Sequence, residues 1–169
     1  MTELITPDLQ WYDEWRAAYD EFGGVHMDGS GYFGTPPPEP SRDDYAAMVE
    51  NRLAQGDPST QMDPGMVHCS FFWITEQDSF IGWLAIRHAL NDFLLEQGGH
   101  IGYSVRPSRR REGHASRALG LAVPLSRELG IDRILLTCDA DNDASRRTIE
   151  ANGGVFEDER VGKLRYWIG

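Results

Sequence analysis

The residues best suited to chemistry lie between 105 and 121, VRPSRRREGHASRALGL, where an extended run stops at Pro107, arginines and a glycine follow, and a helical pattern begins. Such a turn leaves backbone N–H groups unpaired at a helix N-terminus, where the helix dipole adds partial positive charge, and so makes a cradle for an anion. Gly113 lets a phosphate approach the backbone closely, and Arg109, Arg110 and Arg111 offer forked donors for further negative charge. A diphosphate suits a cradle of this kind. The nucleotide patterns G-x-x-x-x-G-K-[ST] and G-x-G-x-x-G are absent, and the chain's one lysine is Lys163. The competing reading of the arginines is a solvated face paired with nearby acids.

The elements that must hold this window follow from periodicity. Trp11, Trp15, Ala18 and Phe22 recur at helical spacing over Asp8–Phe22, and Gly23 and Gly24 end that stripe. The stretch GGVHMDGSGYFGTPPPEP, residues 23–40, reads as a long loop, either a lid on the acceptor side of a site or a mobile connection. Ser41 with Asp44 predicts a capped second helix carrying Tyr45, Met48, Val49 and Leu53 as far as Gly56. HCSFFWIT and FIGWLAIRH flank the polar turn EQDS as a hairpin, and Gly99–Val105 reads as a third strand. A helix over about Ala115–Leu129 follows, with a kink expected at Pro124, then a strand over Arg133–Cys138. A helix over about Ala144–Asn152, a hairpin around Gly162 and a short strand at Glu3–Thr6 complete the order, in one α/β domain spanning 1–169.

Composition bounds the function. The 169 residues are 40% hydrophobic and 25% charged, which is globular, and no apolar run is long enough to span a bilayer. The opening MTELITPDLQ lacks the basic end and apolar stretch of a signal peptide, so a cytoplasmic location is expected, with no membrane partner. The net charge of -11 is uneven: residues 1–65 hold three Arg against thirteen acids, -10, and the remainder hold thirteen basic residues against fourteen acids, -1. A short basic cluster on an acidic chain fits one small anion better than a duplex, so no nucleic-acid partner is expected. The acidic front half reads either as a lure for a cationic amine or as a solubility surface. Cys69 and Cys138 form no C-x-x-C pair, and no metal site is expected.

The run Arg110-Arg111-Glu112-Gly113-His114-Ala115 is similar to the R/Q-x-x-G-x-G/A signature of the GNAT acyltransferases, which bind acetyl-CoA. In context, GGHIGYSVRPSRRREGHASRAL resembles the fourth strand and third helix of that family, and DADNDASRRTIEANGG the passage from its fifth strand into its fourth helix. The resemblance implies an α/β (α+β) fold, with a mixed, mostly antiparallel sheet flanked by helices and a splayed fourth strand. It implies direct transfer of an acetyl group from acetyl-CoA, the cosubstrate, to a primary amine of a small-molecule or peptide acceptor. Tyr103, Ser104 and Val105 would pair with the pantetheine arm at a bulge. Arg110, Arg111, Glu112, Gly113, His114, Ala115 and Ser116 would hold the pyrophosphate. Asn142 and Ser145 would bond on the pantetheine side, although Asn142 also reads as a helix cap.

The catalytic groups are less legible. The family's tyrosine acid falls at Ile149, which leaves Tyr103, Tyr166 or water to protonate the departing thiolate. For the base, His100 stands against His88 and Glu76, and strand alternation keeps His100 and Tyr103 on opposite faces unless a bulge intervenes. Cys138 reads as a buried filler, since no paired His and acid mark it as a nucleophile. Two further readings stand beside the transferase: a regulatory module that binds CoA with weak catalysis, motivated by Ile149, and a nucleotide or phosphate-binding regulator using the same arginines. The sequence does not fix the oligomeric state, a homodimer included.

Overall fold

The computed structural model describes all residues, 1–169. The elements run β1 (Thr2–Ile5), α1 (Tyr12–Glu21), α2 (Arg42–Gly56), β2 (Cys69–Glu76), β3 (Ser79–Arg87), β4 (Ile101–Val105), α3 (His114–Glu128), β5 (Ile134–Asp139), α4 (Asp143–Ala151), β6 (Val155–Arg160) and β7 (Lys163–Ile168). The expected order holds throughout. A 3-10 turn, Leu9–Trp11, leads into α1, and the connection before β4 winds one π-helical turn at Leu94–Gly98. The capping box is formed: Ser41 Oγ accepts the Asp44 amide while Asp44 accepts the Ser41 amide. Pro124 does not end α3, which runs unbroken from His114 to Glu128.

Four antiparallel strands in the order β1-β2-β3-β4 form one sheet, and β5-β7-β6 form a second antiparallel set. Alternation along the hairpin separates two apolar faces. Trp73, Phe80 and Trp83 face α1 and α2, where they pack with Trp15, Tyr19 and Tyr45. Ile74, Leu84 and Ile86 face the other way, joining Leu119 and Ala122 of α3, Ile149 of α4 and Leu136 of β5. Trp15 is 0% exposed, and full burial of such side chains contributes ~1.5–3 kcal/mol each. The register slip lies in the hairpin, between Ile74 and Thr75 opposite β3. The expected bulge in the fourth strand is absent: β4 pairs with β3 without a shift from Gly82↔Val105 to Ile86↔Ile101.

The two strand sets meet at one end only. The His100 amide donates to Leu135 O at 2.7 Å, and the Leu135 amide donates to His100 Nδ1 at 2.9 Å. Beyond that junction no backbone bond joins β4 to β5. Tyr103 reaches across instead by its side chain, with its hydroxyl 2.9 Å from Ser145 Oγ on α4. The strands thus run in the same sense and diverge, which leaves a wedge-shaped gap between them.

Candidate functional site

One edge of the gap is bare backbone. The Arg87 amide donates to His100 O and the Arg106 amide to Ile81 O, so the even-numbered residues of β4 turn their backbone groups toward β3. By alternation the N–H and C=O groups of Ile101, Tyr103 and Val105 face the gap. Ser104 therefore cannot offer its backbone there, contrary to the sequence expectation, and its hydroxyl donates instead to Asp28 O at 2.7 Å. Val105 O accepts Arg110 Nε at 3.0 Å, which ties the strand edge to the turn that follows.

That turn is the cradle. Arg111 takes φ 64 and Gly113, the N-cap of α3, takes φ 80 with no side-chain cap. The amides of Arg111, Glu112, Gly113, His114, Ala115 and Ser116 donate to no acceptor within the protein. An unbroken run of free donors at a helix N-terminus is suited to an anion. A Cβ at position 113 would lie 2.8 Å from Arg117 Nη1 and would sit in the left-handed region that side chains avoid.

The side chains around the cradle divide into two groups. Arg110 and Arg111 are exposed and free of carboxylates, with Arg110 over the Phe22 ring at 5.5 Å. Arg109 is consumed by structure, bonded to Glu76 and Glu112 at 2.8 Å each. Hydrogen bonds from Arg109 hold both carboxyls below their ordinary range, so Glu76, once a candidate base, is an ion-pair partner instead. His114 is 2% exposed, with Nδ1 2.9 Å from Thr2 Oγ1 and Nε2 3.0 Å from Glu112, so its ring locks β1 to the turn and only its amide faces outward. Ser116 Oγ accepts Asn152 Nδ2 at 3.1 Å.

On α4, Asn142 Oδ1 accepts the Ser145 amide at 3.1 Å, the helix-cap role. Asn142 and Ser145 both also line a cavity of about 560 Å³ that opens at the gap. Tyr103 lines it too, its phenol pushed up to about 12 chiefly by burial. Cys138 sits in the wall, 6% exposed, with burial raising its thiol, as expected of a filler.

The other catalytic candidates of the sequence fall outside the cavity. His100 is 6% exposed and its Nδ1 is occupied by the Leu135 amide; burial lowers its pKa to about 4, so it is a neutral latch between the strand sets and not a base at the gap. Tyr166 is 2% exposed, edge-on to Phe156, and donates to Glu150 at 3.1 Å. Buried in the core away from the gap, it cannot serve there as the acid. His88 is bonded to Ser70 Oγ at 2.8 Å and does not reach the cavity. Ile149 is 1% exposed within the core, so no hydroxyl occupies that position of α4.

The far wall is the 23–40 loop, which is docked and not free. Met27 is 1% exposed in the aromatic core, and the carbonyls of Asp28 and Ser30 accept Ser104 Oγ and Arg52 Nε. Gly29 takes φ 81 and lies on β4, where a Cβ would meet Gly102 O at 2.5 Å. This strap brings His26 and Asp28 to the cavity, 3.2 Å apart, and Arg87 lines the same space. Sequence reasoning passed over His26 and Arg87 and took Asp28 only as one of the front-half acids, with Glu39, Asp43 and Asp44, that could attract a cationic amine; the H-x-D pattern inside a glycine-rich loop was the available signal for His26 with Asp28. Of the thirteen acids in the front half only Asp28 lines the cavity, while Asp13, Asp20 and Glu21 pair with Arg42, Arg16 and Arg106. The acidic front is thus mostly structural pairing and surface. No group of three His, Cys, Asp or Glu side chains converges to hold a metal ion, and no helix is long and apolar enough to cross a membrane.

A family model described as an acetyltransferase (GNAT) domain matches residues 12–155. Among solved structures, the chain is similar to the microcin C7 self-immunity acetyltransferase MccE in complex with acetyl-CoA and AMP, at TM-score 0.69 and 14% identity over 99% of this chain and 91% of that one. It is similar to Mycobacterium smegmatis RimJ in complex with CoA-disulfide, at TM-score 0.69 and 18% identity over 99% and 81%. A Salmonella typhimurium acetyl transferase that modifies the N-terminal serine of ribosomal protein L7/L12 matches at TM-score 0.65 and 16% identity over 99% and 94%. At these identities the structural likeness establishes the fold. No curated protein matches the chain significantly.

Proposed function

The chain belongs to the GNAT acetyltransferase family, and from that premise we propose that it moves an acetyl group from acetyl-CoA directly to a primary amine. The observation that carries this reading is the continuity of two backbone surfaces, the gap-facing groups of Ile101 and Tyr103 with the Val105 amide, and the six free amides from Arg111 to Ser116. A pantetheine arm has amides that can pair with the first, and a pyrophosphate suits the second. Arg110 and Arg111 add charge, and Asn142 and Ser145 close the pantetheine side from α4.

Catalysis in this reading rests on positioning and on proton transfer. The Tyr103 hydroxyl, protonated at neutral pH as a phenol is, is the donor for the departing thiolate and takes the place of the family's α4 tyrosine. A gap-facing amide of β4, that of Val105, stabilises the tetrahedral oxyanion. His26, held by Asp28 on the strap, is the group placed to receive the amine's proton. The acceptor enters beneath the strap, opposite the cradle. We also propose that residues 1–169 act as one unit in the cytoplasm.

Two assays test the proposal. Calorimetry should show acetyl-CoA and CoA binding while ATP binds more weakly; a preference for ATP contradicts the donor assignment and favours a nucleotide-binding regulator. Thiol release from acetyl-CoA with a panel of small amines and N-terminal peptides should then identify turnover. The second reading, a CoA-binding module with weak catalysis, is favoured by the apolar Ile149, and tight donor binding without turnover of any amine would select it.

A further inference from the structure

We propose that the acceptor is a zwitterion, an α-amino acid with an apolar side chain, whose carboxylate is bound by Arg87. This rests on the transferase reading and names its substrate class. The Arg87 side chain emerges at the end of β3 and lies over β4 because residue 102 is glycine: a Cβ there would stand 3.3 Å from Arg87 Nη2 and 3.3 Å from the Gly29 amide. The guanidinium therefore sits between the strap and the strand, one residue from the Tyr103 edge of the gap.

Arg87 is pinned through one nitrogen only. Nη1 donates to Gly98 O at 3.0 Å and to Gly99 O at 3.2 Å, and no carboxylate pairs with the residue. Its hydrogen bonds to the protein all come from Nη1, and neither Nε nor Nη2 is a buried unpartnered atom, so both face the cavity that Arg87 lines as open donors. The edge formed by Nε–H and one Nη2–H is the fork that binds a carboxylate in bidentate fashion. Among the other charged residues that line the cavity, Asp139 pairs with Lys163 and Asp28 lies against the His26 imidazole, whereas Arg87 has no carboxylate within ion-pair distance. An arginine held in place by backbone carbonyls and left unneutralised in a cavity is what an anionic group on a ligand requires.

The remaining wall specifies the rest of the molecule. Phe33 on the strap is 82% exposed and Phe93 on the opposite loop 61% exposed, yet both line the cavity, as does Met66. Large apolar side chains left in water beside a polar anchor mark a surface for an apolar group. The pair His26–Asp28 offers the ammonium end an acid–base couple in the same space. Carboxylate on Arg87, amine toward the strap pair and the gap, and side chain among Phe33, Phe93 and Met66 together describe an apolar amino acid.

The test compares free L-leucine, L-methionine and L-phenylalanine with their carboxamides, which keep the amine and lose the anion. With the CoA-saturated protein, calorimetry should show the free acids binding tighter than the amides by roughly thirty-fold, the scale of a desolvated hydrogen-bonded charge pair. In Arg87→Gln that preference should vanish while acetyl-CoA affinity stays within about twofold; Arg87→Lys should restore part of it. Equal binding of acids and amides by the native protein overturns the proposal whatever the variants do. A variant that weakens both classes alike assigns Arg87 to pinning Gly98 and Gly99 and overturns it as well. The parallel thiol-release assay separates the two levels: amides acetylated as fast as acids sink the zwitterion and leave the transferase standing, whereas selective binding of acids with no turnover sinks the transferase and keeps the site.

Discussion

On the α3 side of the gap, one run of backbone from Arg111 to Ser116 turns every amide outward, whereas on the strap side the cavity wall is assembled from Gly29, Arg87 and Gly102, which belong to a loop and two strands. In the proposed function the first surface binds through main-chain donors and needs little of its side chains beyond locking the turn, which Arg109 and His114 do from behind. The second, in the same proposal, binds through side chains whose positions depend on one backbone resting on another. A pyrophosphate is constant across donors, so a surface of amides serves it; an acceptor varies, and side chains can be exchanged without rebuilding the donor site.

That contrast makes separable predictions. Gly113→Val forces a β-branched residue into the left-handed region at the cradle, where strain is ~3 kcal/mol at the upper end, so acetyl-CoA affinity by calorimetry should fall roughly a hundredfold. Acceptor preference among whatever amines are turned over should be unchanged, and a shift in both would erase the separation. Gly29→Val meets the Gly102 carbonyl and should lift the strap: acceptor KM is expected to rise roughly thirty-fold, ~2 kcal/mol, with donor affinity held within about twofold.

Smaller effects sharpen the picture. Tyr103→Phe keeps the ring and removes the proton donor, so kcat should drop about tenfold, at the low end of what a lone acid contributes, with donor Kd unmoved. An unchanged kcat would assign thiolate protonation to water. His100→Gln, which keeps a hydrogen-bond acceptor, should cost about 1 kcal/mol of stability by denaturant melt at neutral pH. Its larger signature is in pH. Because the folded pKa of His100, about 4, lies below the unfolded value of 6.5, the unfolded state binds more protons between those limits. Native stability from this group is full above about pH 6.5 and is lost as pH falls toward about 4. The variant should flatten that slope, and a slope that persists would show the latch to be misassigned.

The same contrast governs what the sequence revealed. The cradle was legible because its donors are contiguous and its glycine, arginines and helix start sit in one short window. Element order was legible from spacing and caps, such as Ser41 with Asp44. His100 was misread because its partner, Leu135, is distant in sequence, and a strand histidine that latches two sheets has the same local pattern as one that faces a cleft. Ser104 and Tyr166 failed for a related reason: period-two alternation gives faces, but only the observed register says which face meets the gap and which meets β3 or the core. Arg87 and the Gly29–Gly102 contact left no local trace, because a cation at a strand end and a glycine in a loop are ordinary until packing brings them together.

Amide hydrogen exchange with and without acetyl-CoA tests the central claim most directly. The free protein should exchange quickly at Arg111–Ser116 and at Tyr103 and Val105, because those amides have no partner within the protein. Saturating acetyl-CoA should protect those two segments together and leave the strap, residues 25–34, largely unchanged. Protection confined to the strap side, or slow exchange at residues 111–116 before any ligand is added, would contradict the account.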